Sequence, residues 1–189
     1  MRIRFAAIFA AILTVVGLSA APASADVWWL QYTDTSTRLC IDAQYDAQHA
    51  YWWLQEATCK TPVGSGAAGQ VYQIVPSGTG AVWIMSGVPG PQCVAIGSGS
   101  AADDTVGLAD CPGTRPIYWD VEWQVSEVSE NPNGSVNVMF QSTTSGKCIT
   151  GAGSGVRLVQ QACDSTNPHQ VWRQHLKEGC PRCLAARRD

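Results

Sequence analysis

Arg38-Leu39-Cys40-Ile41-Asp42, then Cys59, then Gln70-Val71-Tyr72 is the run of residues on which the reading of this chain turns. The same order returns as Gln92-Cys93-Val94-Ala95, Cys111 and Val121-Glu122-Trp123. It returns again as Lys147-Cys148-Ile149-Thr150, Cys163 and Gln170-Val171-Trp172. The first cysteines of successive copies stand 53 and 55 residues apart, and the closing aromatics 51 and 49 apart. A period near 50 residues, with cysteines and an aromatic in fixed order, marks three copies of one structural unit.

Outside the repeat the sequence is punctuated at both ends. Arg2 and Arg4 precede an apolar run from Phe5 to Leu18, and Ala21-Pro22-Ala23-Ser24-Ala25 offers a small-residue cleavage site. Residues 1–25 therefore read as a secretory signal peptide, and the run is short for a bilayer span of about 20 residues. The expected location is secreted, extracellular, with no membrane contact after signal removal. Removing the signal takes away two arginines and no acid, so the formal charge falls from −3 to −5. An acidic chain with no basic stripe and no interleaved arginines and aromatics is a poor fit to nucleic acid. All eight cysteines lie beyond the signal, and an even count in that context reads as disulfides.

Between residues 27 and 176 the local signals are those of short strands. β-branched and aromatic runs alternate with Gly, Pro, Ser and Asn. The first copy offers 27–33, 37–43, 52–58 and 70–75. The second offers 81–86, 92–96, 105–110 and 121–125, and the third 136–141, 147–150, 156–161 and 170–174. The expectation is an all-β domain of twelve strands, four per copy, with no amphipathic helix.

The order Cys-aliphatic-Asp, Cys, Gln-x-aromatic, repeated three times between Val27 and His175, resembles the ricin B-type β-trefoil lectins. These are also known as the R-type or family 13 carbohydrate-binding modules. The resemblance implies a β-trefoil with pseudo-threefold symmetry over residues 26–176. It also implies one disulfide inside each copy: Cys40–Cys59, Cys93–Cys111 and Cys148–Cys163. Metal binding fits these cysteines poorly, because their spacings are too long for a clustered zinc knuckle. Ile41, Val94, Ile149, Tyr72, Trp123 and Trp172 are expected in the core. Tyr72 stands where the family has Trp, and its hydroxyl needs a partner.

In the family a sugar is gripped by the Asp two residues after the first cysteine. A polar residue four before the second cysteine and an aromatic two before it form a wall, and an Asn precedes the Gln. A carboxylate accepts bonds from neighbouring hydroxyls, and a flat ring covers the C–H face of a pyranose. The first copy keeps Asp42 and Gln55 but has Ala57 and Gly69 at the other positions. Tyr51, Trp53, Gln55 and Ala57 share parity along one strand, so they face one way. Trp53 is then a displaced stacking platform, with Tyr51 and Gln70 as further candidates. One of Trp52 and Trp53 must pack inward. The second copy has Ala95, Gly107 and Ala109, and no site of this kind. The third has Thr150, Val159 and Gln161 with His169 before Gln170; it lacks the carboxylate, and Thr150 and His169 are left for some other ligand.

Residues 177–189 depart from the family. Their Cys180-Pro181-Arg182-Cys183 is a CxxC without the βαβ context of a redox domain, and reads as a local disulfide or a tail that pairs with another chain. The chain has His49, His169 and His175, no Gly-x-Ser-x-Gly and no His-Glu-x-x-His. No enzyme, cofactor or metal is expected. The resemblance implies a carbohydrate partner, of galactose or xylose type, bound through the first copy. The alternative is a protein-interaction or inhibitor protein on a degenerate lectin scaffold.

Overall fold

The computed structural model describes residues 29–60, 67–97, 104–113 and 120–177. The signal segment and the Cys180/Cys183 tail fall outside them. Among the described residues the chain forms twelve strands in one antiparallel sheet. The first repeat supplies β1 (Trp29–Asp34), β2 (Cys40–Asp46), β3 (Tyr51–Ala57) and β4 (Tyr72–Pro76). The second supplies β5 (Val82–Ser86), β6 (Gln92–Ile96), β7 (Val106–Asp110) and β8 (Trp123–Glu130). The third supplies β9 (Val136–Ser142), β10 (Lys147–Thr150), β11 (Val159–Ala162) and β12 (Trp172–Lys177). Single 3₁₀ turns at Ala68–Gln70 and Pro168–Gln170 lead into β4 and β12.

The outer strands of each repeat close a ring: β1 pairs β4, β4 pairs β5, β5 pairs β8, β8 pairs β9, β9 pairs β12, and β12 returns to β1. Closure leaves that barrel without an open edge. The inner strands form three hairpins, β2–β3, β6–β7 and β10–β11, which also touch one another. β3 pairs β7 through Trp52↔Leu108 and Trp53↔Gly107, and Thr105 bridges Val159. This arrangement is consistent with the β-trefoil that the family resemblance implies.

Several strand boundaries differ from the sequence reading, and two of the differences have a plain physical reason. The third strand of the third repeat is expected from residue 156 but begins at Val159, because residues 154–158 run against β3 instead of completing the hairpin. Leu158 N donates to Leu54 O at 2.8 Å and Gly155 N to Glu56 O at 2.8 Å. β8 runs to Glu130 rather than 125, because β9 offers it a continuous partner with one bulge between Glu127 and Ser129.

Ile41, Val94 and Ile149 are all buried, as are Tyr72, Trp123 and Trp172, and they share one core with Tyr32, Leu54, Phe140 and Leu158. Tyr32 stands edge-on to Phe140 at 4.9 Å between centroids. The three cysteine pairs are joined within their repeats, Cys40–Cys59, Cys93–Cys111 and Cys148–Cys163. Loops of this size contribute roughly 3 kcal/mol each in the chain-entropy description.

Tyr72 finds its partner in Gly69 O at 2.8 Å, whereas the buried Tyr32 hydroxyl has no partner among the described residues. Burial pushes both phenols well above the ordinary tyrosine range, and for Tyr72 the nearby Asp42 charge adds to the rise. An unfolded tyrosine ionises near 10. The folded protein holds both protons longer, so this stabilisation is intact below pH ~10 and is lost as the pH rises beyond it. Tyr32→Phe removes an unpaired hydroxyl at no cost in volume. Urea unfolding at pH 7 should find the variant as stable as the parent or more so, by up to about 1 kcal/mol. Unfolding repeated at pH 10–11 should show a shallower alkaline loss for the variant; an equal loss would mean that Tyr32 is not one of the groups responsible.

Candidate functional site

The outer face of the β2–β3 hairpin carries the first-repeat candidates. The register sets Asp42 opposite Gln55, Gln44 opposite Trp53 and Asp46 opposite Tyr51. Alternation then places these six side chains on one face of the sheet. Trp52 points the other way and packs on the core, with Tyr45 beside it at 5.0 Å between rings. Trp53 is therefore the tryptophan of the pair that remains on the outer face, half-buried.

Asp42 and Gln55 meet: Gln55 Nε2 lies 3.5 Å from Asp42 Oδ2. Asp42 is not open, however. Its side chain is 5% exposed, and Lys60 Nζ, from just beyond the disulfide, caps Oδ1 at 3.1 Å. Lys60 is missing from the sequence reading. It directly follows Cys59, and the disulfide brings it back over β2, so the cysteine pairing was the available signal.

Trp53 is not open either. The guanidinium of Arg157, from the third repeat, lies 4.8 Å from the Trp53 ring and 5.6 Å from the Tyr51 ring. Its reach is set by the backbone, since Gln55 and Arg157 form a β-bridge. Arg157 also lies 3.9 Å from Asp46 Oδ2. Asp46 is chiefly engaged by its own turn: His49 Nδ1 stands 3.0 Å from Oδ2, and the Gln48 and His49 amides donate to Oδ1. The His49 contact, aided by those amides, lowers the Asp46 carboxyl below its usual range.

Gln70 lies elsewhere. It is fully buried, and its amide is consumed by the fold. Its Nε2 donates to Thr58 O at 3.0 Å, while its Oε1 accepts from Lys60 N at 2.8 Å and from Gln31 Nε2 at 3.2 Å. Gln170 makes the same clamp in the third repeat, donating to Ala162 O at 2.9 Å and accepting from Asp164 N at 2.7 Å. In both repeats the glutamine grips the residues on either side of the second cysteine. A side chain so placed has no surface for a ligand, and the expectation for Gln70 is corrected accordingly.

Gly69, where the family has Asn, is imposed by packing. A Cβ there would stand 2.7 Å from Ala43 O and 3.3 Å from Asp42 Oδ1. In the second repeat, Ala95 is fully buried, and a Cβ on Gly107 would stand 2.7 Å from Trp52 O. The β3–β7 contact thus occupies the space where a wall residue would be. In the third repeat, Thr150 is buried and bonded to Cys148 O and Gln170 Nε2. His169 Nδ1 stands 3.2 Å from the buried Asp34 Oδ2. Thr150 is thus engaged inside the protein, whereas His169, its side chain 39% exposed, is engaged at the surface.

No family model and no curated protein matches the chain. Solved structures do. A designed threefold-symmetric protein, ThreeFoil, superposes with a TM-score of 0.58 at 13% identity, covering 77% of this chain and 96% of that one. SeviL bound to asialo-GM1 saccharide gives 0.51 at 11% identity, over 79% and 97%. The Polyporus squamosus lectin bound to the epitope Neu5Aca2-6Galb1-4GlcNAc gives 0.53 at 14% identity, over 78% of this chain and 48% of that one. The BEL β-trefoil gives 0.52 at 14% identity, over 82% and 95%. At such identities the likeness speaks for the fold.

The buried clamp is directly testable. Gln70→Ala leaves Lys60 N–H and Thr58 C=O without their partner, at an expected cost of about 1–3 kcal/mol. A urea midpoint indistinguishable from the parent's would show that the amide is not structural.

Proposed function

We propose that this chain is an exported carbohydrate-binding protein with one sugar site, on the outer face of the first repeat. The observation that carries the reading is the pairing of Asp42 with Gln55 on a surface hairpin, with Trp53 and Tyr51 next along the same face. Asp42 supplies a charged acceptor for sugar hydroxyls, Gln55 orients the ring, and the aromatics offer apolar cover. Binding requires Lys60 to swing off Asp42 or to share it. The proposal includes no catalysis: the residues of the face bind and orient. Some similar trefoils were solved with saccharides bound, and the three disulfides suit an oxidising compartment. Galactose- and xylose-type glycans are the first to try.

A second reading, a protein-interaction or inhibitor protein, has one observation in its favour. Lys60 and Arg157 already cover the two features a neutral sugar would use.

Titration of a panel of neutral and acidic mono- and oligosaccharides, followed by backbone amide shifts, separates the two. A shallow single site should bind near the millimolar range, roughly 4 kcal/mol. Asp42→Asn should remove most of that affinity while the spectrum stays dispersed. Shifts confined to the second or third repeat, or none with any saccharide, would end the sugar reading and favour the protein partner.

A further inference from the structure

Arg157 stands where a pyranose would otherwise stack. Its guanidinium lies 4.8 Å from the Trp53 ring and 5.6 Å from Tyr51, and its side chain remains 43% exposed. The backbone that carries it is fixed on both sides. Gly153 N donates to the fully buried Glu56, Gly155 N to Glu56 O, and Leu158 N to Leu54 O. Leu158 is fully buried, so alternation turns Arg157 to the outer face. The cation is thus held by two rings behind and a three-bond backbone anchor beneath.

Its own ion pairing is slight. Asp46 is the nearest carboxylate, at 3.9 Å, and that carboxylate is already held by the His49 ring and two turn amides. Among the described residues, the other charges on this face are Asp42 and Lys60, which pair with each other at 3.1 Å. Arg157 is left with hydrogen-bond donors of its planar fork to offer. Such a fork, backed by aromatic faces, is suited to two-point recognition of a carboxylate or sulfate. Gln55, across the bridge from Arg157, adds an amide beside it.

We infer that the first-repeat face selects acidic saccharides, with Arg157 pairing the sugar's anionic group against Trp53 and Tyr51. This rests on the sugar-binding reading and names the ligand class for that site. A uronate would place its carboxylate on Arg157 and its ring hydroxyls toward Gln55 and Asp42. A neutral hexose offers the guanidinium only uncharged hydroxyl acceptors and must displace it to reach Trp53.

The test compares methyl galacturonate glycoside (free acid) with methyl galactoside, which share a ring and differ at C6. A sulfated galactoside is a third arm that separates carboxylate from sulfate recognition. Amide shifts of 42–46, 51–57 and 154–158 are followed at pH 7 for the parent, Arg157→Gln and Arg157→Lys. The acidic sugars should bind about tenfold or more tightly than the neutral one, as befits a charge-assisted pair. The preference should weaken with added salt. Arg157→Gln should bring acidic and neutral sugars to within about twofold, and Arg157→Lys should keep only part of the preference. Both variants retain the backbone ladder, and a dispersed spectrum verifies their folding. Equal binding of acid and neutral sugars by the parent, or a preference that survives Arg157→Gln, overturns the inference while leaving the sugar reading standing. No binding of any arm overturns both.

Discussion

One aromatic ring per repeat, buried with its polar atom paired, holds the barrel to its hairpins. Trp123 Nε1 donates to Val94 O at 2.9 Å, and Trp172 Nε1 donates to Ile149 O at 3.3 Å. Each acceptor is the carbonyl of the aliphatic residue after a first cysteine, so the ring clips a repeat's fourth strand to its second. Burial supplies most of the energy, since truncating such a ring costs about 3–5 kcal/mol. The hydrogen bond, worth about 1 kcal/mol net, fixes where the ring sits. The first repeat lacks the indole. There Tyr72 turns its hydroxyl to Gly69 O, and the Gln31–Gln70 pair adds a tie that reaches back to β1.

The repeats have diverged unequally, and the inequality is structural. Gly107 gives up its side chain so that β7 can lie against the Trp52 backbone. The second repeat thereby supports the strand that carries Trp53 and Gln55. The third repeat lends residues 154–158, whose backbone completes the other flank of the same strand. The first-repeat face is thus flanked by all three copies, although its candidate ligand groups mostly come from one.

Much of this was legible in the sequence. The period and the strand punctuation led to the twelve strands, because each is a local or strictly repeated signal, while the cysteine pairs came from the family resemblance. Parity along β3 grouped Tyr51, Trp53 and Gln55, while the register that sets Asp42 opposite Gln55 is supplied by the structure. What sits on that face did not follow. Lys60 reaches Asp42 only through the fold-back of the disulfide, and Arg157 comes from a different repeat, more than a hundred residues from Trp53. Parity tells which way a side chain points and nothing about what lies above it. Gln70 was misread for a related reason. Its motif is shared by structural and ligand residues alike, and only the surrounding amide and carbonyl groups distinguish the two.

β1 and β12 are joined along their whole length, from Trp29↔Lys177 to Asp34↔Trp172. With β2 and β4, β1 shares only single register pairs, Thr33↔Cys40 and Leu30↔Tyr72. A chain delivered from its N-terminus therefore presents its first strand long before that strand's main partner exists. Synthesis cannot release a finished first repeat, because the ring has a gap until β12 arrives. The molecule keeps a waiting period in which β1 has only its single pairs with β2 and β4 to lean on. Its length is set by the time needed to deliver the rest of the chain.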